Sequence, residues 1–191
     1  MTIFVVLAPY GAFAFLMLVC SATASLFAAA VICLTVIAWD MLGGRSIKLL
    51  GAGSVVVFAG LACWLALTQT PWSASAVKVA ADGGLLAIAL VSLAIGKPFT
   101  MQYAREMVDA ETARLPGFVT ANYVITWAWV LAFLLMILAN ALLIYVPGLP
   151  LWSGIVIAFA ARNTAVYFSR WYPQHRRAKA AATAAVAPTG S

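Results

Sequence analysis

Histidine is all but missing from this chain. His175 is the only one, and it sits in a basic stretch. Paired histidines for haem, or a histidine-rich metal site, have no residues to work with. The three cysteines, Cys20, Cys33 and Cys63, are scattered through apolar runs with no CxxC or other ligand spacing, so inert small thiols are expected. Charge is scarce too. Asp, Glu, Lys and Arg make up 8% of the 191 residues, against roughly a quarter in a soluble domain. No hydrophilic stretch is long enough to fold as a separate soluble domain. There is no GxSxG, no HExxH and no glycine-rich phosphate loop of the Walker type. These absences lead us to expect a non-enzyme with no cofactor, no metal and no catalytic residue.

What is present is apolar. Hydrophobic residues make up 65% of the chain, in long runs rich in Ala, Leu and Val. Helices rather than a β-barrel suit such runs in a bilayer. The expected fold is an all-α polytopic membrane protein with about six transmembrane helices, near 3–19, 26–39, 49–68, 77–95, 118–146 and 151–168. Together they make one membrane domain over 1–172, followed by a tail at 173–191 that is basic and then low-complexity and disordered. The first run has no positive flank and contains Pro9 and Gly11, which makes it a poor cleavable signal. Ser21, Ser25 and Ala29 are spaced four apart, which favours close helix approach.

Between the fourth and fifth runs lies a connector, 97–117, that is unlike the rest. Read as a helix from Thr100 to Arg114 it is two-faced. Phe99, Tyr103, Met107 and Ala110 fall on one side, and Gln102, Arg105, Glu106 and Asp109 on the other. Pro98 suits its entry and Pro116-Gly117 its end. Such a helix is expected to lie flat at the membrane surface. Its charges Lys97, Arg105 and Glu106 would then be available to lipid or to a partner protein.

Charge sets the expected orientation. With six crossings, Arg45 and Lys48, then Lys97, Arg105 and Arg114, then the basic tail, all fall on one side, that of the N-terminus. The other turns lack Lys and Arg, and only Lys78 lies near that opposite side. This is a positive-inside pattern with both termini cytoplasmic, in a bacterial inner membrane. The net charge of +6 is therefore a topology signal, and no nucleic-acid partner is expected.

Few polar groups interrupt the runs. Lys78 and Asp82 are one turn apart and able to pair. Arg162 lies within the sixth run, where an Arg at the helix centre costs roughly 2.5–3.5 kcal/mol on insertion scales. Asn140 and Asn163 are placed to hydrogen-bond across the fifth and sixth helices. An aromatic belt of Tyr123, Trp127 and Trp129 is expected at the start of the fifth run.

The second half of the chain resembles the intracellular septation protein A family of bacterial inner-membrane proteins. The similar elements run from Lys78 to Trp152: a run ending LVSLAIGKP, the pair Lys97-Pro98, a short stretch ending at Leu115-Pro116, and NYVITWAWVLAFLLMILANALLIYVPGLPLW. The charged connector, Arg162 and the Ala-rich tail depart from that pattern. The resemblance implies a multi-pass envelope protein linked to cell division, and carries over no catalytic residue. Its expected partners are membrane lipids and other envelope or division proteins. A small transporter or channel built on Asp82, Asn140 and Arg162 is the competing expectation. A lipid-acting enzyme at the connector is a third.

Overall fold

The apolar runs become helices almost end to end. The computed structural model describes residues 3–146 and 148–186. They form α1 (Ile3–Val19), α2 (Ala22–Leu42), α3 (Leu49–Thr68), α4 (Ala74–Ala94), α5 (Phe99–Arg105), a 3-10 turn at Thr112–Arg114, α6 (Pro116–Tyr145) and α7 (Leu151–Val186). Four of these, α2, α3, α4 and α6, are long and apolar enough to cross a membrane. The all-helical, membrane-like architecture matches the expectation.

Local chemistry explains the boundaries. Ser21 and Ser73 cap α2 and α4, accepting from Ala24 N at 3.3 Å and Ala76 N at 3.1 Å. The gap left between the first two expected runs, 20–25, therefore shrinks to Cys20 and Ser21. Gly96, at φ +70°, closes α4 by letting Lys97 N reach Ser92 O at 2.9 Å. Pro116 does not simply end the connector. It is the first residue of α6, where its missing N–H costs nothing.

The tail reading is corrected. α7 does not stop at 168 but runs on to Val186 as one helix of 36 residues. Its last third is Ala-rich, and Ala is the strongest helix former. Residues 187–191 of the expected disordered tail lie outside the described residues.

The helices pack as a chain of neighbours: α1 on α2, α2 on α3, α3 on α4, α4 on α6 and α6 on α7. Small residues allow the close approaches. Ser25, Ala29 and Leu26 of α2 are fully buried, as are Ala62 of α3 and Ala89 of α4. Phe58 of α3 sits against Tyr10 and Phe13 of α1, with ring centroids 5.7 and 5.3 Å apart. Trp129 is not a surface anchor as expected. It is buried, meets Phe99 edge-on and Phe133 at a tilt, and donates from Nε1 to Ser169 Oγ on α7 at 3.1 Å.

The connector is also corrected. It is not one four-turn helix from Thr100 to Arg114. α5 has seven residues, and a turn separates it from the 3-10 segment. Asp109 caps the far side of the interruption. Its carboxylate accepts from Thr112 N at 2.7 Å and Thr112 Oγ1 at 2.9 Å, a local bond set that competes with helix. Phe99 and Met101 are buried under the bundle, whereas Met107 is 74% exposed. The docked face is thus Phe99 and Met101, flanked by Tyr103, and not Phe99, Tyr103 and Met107.

Candidate functional site

One end of the bundle holds a knot of charges. Asp40 lies at the end of α2 and Lys48 just before α3, and both are buried. Lys48 Nζ is 2.8 Å from Asp40 Oδ2 and 3.1 Å from Glu106 Oε1. Arg45 Nη1 is 3.3 Å from Asp40 Oδ1. The ring of Tyr103 lies 5.3 Å from the ammonium, a cation–π distance. Burial pushes the Tyr103 phenol above its ordinary value, so it stays neutral beneath the cation.

The connector also completes α3. Lys48 offers α3 no side-chain cap. Gln102 Oε1 instead accepts from Leu49 N at 2.7 Å, taking one of the N–H groups a helix start leaves open. Gln102 and Glu106, expected on a water-facing side, are therefore the residues that hold α5 to the α2–α3 turn.

Beside the knot is a small cleft between α1, α2 and α3, lined by Tyr10, Cys33, Asp40, Lys48, Ser54 and Tyr103. Ser54 Oγ donates to Leu50 O at 2.5 Å, so Tyr10 is the donor in its bond to Ser54. The cleft holds about 30 Å³, room for a water or two.

A second set of charges lies deeper. Asp82 of α4 is buried, with only 8% of its surface exposed. The expected Lys78–Asp82 ion pair is absent: the two are not within salt-bridge distance. No ion pair joins Asp82 to Arg162 of α7 among the described residues either.

Asn140 and Asn163 do not bridge α6 and α7. Each bonds back to its own helix, Asn140 Nδ2 to Met136 O at 2.9 Å and Asn163 Nδ2 to Phe159 O at 2.7 Å. Neither joins Asp82 and Arg162. The α6–α7 links are Trp129 to Ser169, and Arg176 Nη1 donating to Gly117 O at 3.2 Å. Lys97 and Arg105 are exposed and lie outside the knot. Among the described residues, no three His, Cys, Asp or Glu gather as a metal site would require.

Asp40, Lys48, Gln102 and Tyr103 were not singled out as site residues by sequence. A signal existed: an acid closes one apolar run and a lysine opens the next, leaving both close to apolar surface. The class defined by fold and site is a helical membrane protein with an internal charge knot at one end. No family model, curated protein or solved structure matches the chain.

Proposed function

We propose that this chain is a non-enzymatic multi-pass inner-membrane protein that serves envelope maintenance or septation through contacts with lipids and other proteins. The observation that carries the reading is the knot. Its buried charges neutralise one another, and the cleft beside them is water-sized. What the molecule offers to others is its outer surface, an apolar belt that includes Leu131, Leu134, Leu138, Trp152 and Phe159. The resemblance to the septation protein A family supplies the link to division.

In this reading α1 and α7 also cross, giving six spans. α1 is 17 residues long, about 25 Å at 1.5 Å per residue. The knot, the connector and the basic half of α7 then share the cytoplasmic face. Deleting the protein from a bacterium that carries it should lengthen cells or misplace septa, and the intact gene should restore them. Unchanged cell length and septum position would overturn the division role. Thiol labelling at Ser75→Cys, Gly148→Cys and Ala180→Cys, in a background lacking the native cysteines, tests the orientation. Labelling of position 180 from the periplasm would overturn it.

A small transporter is the second reading, and one observation favours it. Asp82 is an acid buried within α4, and no ion pair among the described residues reaches it. Charges buried within membrane helices mark ion or substrate paths in many proteins. Uptake or efflux abolished by Asp82→Asn, with septation unaffected, would favour this reading over the first.

A further inference from the structure

Charge along this chain is divided sharply. Residues 1–111 contain five Lys or Arg and five Asp or Glu, so they balance. No acid follows Glu111, and the whole net charge of +6 belongs to 112–191. There it is carried by Arg114, Arg162, Arg170, Arg176, Arg177 and Lys179.

Four of those six lie on the second half of α7, and helix length fixes where. About 20 residues span a hydrocarbon core about 30 Å thick. Counted from Leu151, the core ends near Arg170. Arg176, Arg177 and Lys179 then follow about 9–14 Å further along the helix. That is the outer headgroup layer and its first water, within about one Debye length of the lipid phosphates at 0.1 M salt. All three are exposed.

The segment is held in place as well as charged. Arg176 donates to Gly117 O at the start of α6. Trp171 is 41% exposed and stacks on His175, with ring centroids 4.8 Å apart. Phe168 stacks on Tyr172 at 5.2 Å. Amphipathic rings of this kind favour the membrane–water boundary. A basic cluster directly beyond a membrane helix, with aromatic anchors at its root, matches the chemistry of anionic headgroups.

We infer that the basic second half of α7, from Arg170 to Lys179, is a docking surface for anionic phospholipid headgroups. The inference rests on the reading that α7 crosses the membrane. It adds a lipid class and the residues that select it. Arg177 and Lys179 supply charge at the phosphates, Arg176 ties the segment to α6, and Trp171 sets its depth.

The test uses the full chain in nanodiscs of equal phosphatidylglycerol and phosphatidylcholine. The protein is released gently, and its retained lipids are counted by native mass spectrometry. The wild type should retain phosphatidylglycerol preferentially. Arg177→Gln with Lys179→Gln leaves the Arg176–Gly117 contact intact and should lower that preference fivefold or more, since each basic residue near the surface is worth roughly fivefold. Arg177→Lys should keep it. Lys78→Gln removes a charge near the other end of the bundle and should leave the ratio unchanged. If the double variant does not fold, raising salt to 0.5 M on the wild type should erase the preference by screening. An unchanged ratio in the double variant, an equal fall in Lys78→Gln, or a preference that survives high salt would overturn the inference. So would capture of RNA by the wild type without preference for phosphatidylglycerol. Nanodiscs expose both faces, so a reversed orientation would fail the labelling test and leave this one unaffected.

Discussion

The Lys48 ammonium lies 3.1 Å from the Glu106 carboxylate, which joins the α2–α3 turn to the connector between α4 and α6. Lys48 is buried and also holds Asp40, so it is the centre of the knot. Lys48→Met leaves Asp40 with only the half-exposed Arg45 as countercharge, and should destabilise the protein by several kcal/mol, up to about 3–5 kcal/mol if Arg45 cannot compensate for the broken buried pair. Glu106→Gln leaves the Asp40 pair in place and should cost about 1 kcal/mol. Unfolding in mild detergent, followed by circular dichroism, compares them. Equal losses would mean that Lys48 is not the centre.

Asp82 and Arg162 should behave as a coupled pair across α4 and α7. If Arg162 is the countercharge of the buried Asp82 carboxylate, Arg162→Gln alone should destabilise more than Arg162→Gln combined with Asp82→Asn. A double-mutant cycle on unfolding free energy measures the coupling. Strictly additive losses would show that the two helices are not joined through these charges.

Two adjacent glycines should respond in opposite ways. A Cβ on Gly84 would lie 2.6 Å from both Val57 Cγ atoms, whereas one on Gly83 meets nothing within 4 Å. Val57 is β-branched and stiff, so α3 and α4 must move apart. Gly84→Ala should destabilise by about 1–3 kcal/mol, and Gly83→Ala should stabilise by about 0.5–1 kcal/mol. Melting temperatures of the two variants decide it. A loss at both would place the tight contact elsewhere.

Asp109 brings a pH dependence confined to the connector. The Thr112 N–H and hydroxyl bonds hold its carboxyl below the usual range. A depressed folded value means that its contribution is present above the unfolded value of about 3.9 and is lost as pH falls through the folded value. Hydrogen exchange at Thr112–Arg114 should show protection that is flat from pH 5 to 7 and declines below about pH 4. Asp109→Ala should lose that protection at every pH. A flat profile down to pH 2 in the parent would remove Asp109 from the turn.

The helical frame was legible in the sequence because a bilayer-length apolar run has few alternatives to helix. Ser25 and Ala29 were legible as a close-packing stripe for a similar reason, since spacing alone puts them on one side. The connector was harder. Periodicity read Phe99, Tyr103 and Met107 as one face, but α5 ends at Arg105 and leaves Met107 exposed in the turn before the Asp109–Thr112 bonds. The knot was harder still. Lys48 and Glu106 are far apart in the chain, and only the packing of α5 beneath the bundle brings them together. Asn140 and Asn163 misled because a polar side chain in a membrane helix can bond to its own backbone as readily as to a neighbour.

The knot has a consequence for how the protein is made. Asp40, Arg45 and Lys48 emerge from the ribosome well before Glu106. Until Glu106 arrives, the α2–α3 turn carries one uncancelled positive charge. In the orientation proposed above, that charge retains the turn on the cytoplasmic side while the first helices are being inserted. Once the connector folds under the bundle, Glu106 cancels it and Lys48 becomes buried. In that orientation the same lysine would act first as a topology signal and later as an internal fastener, with the order of synthesis separating the two uses.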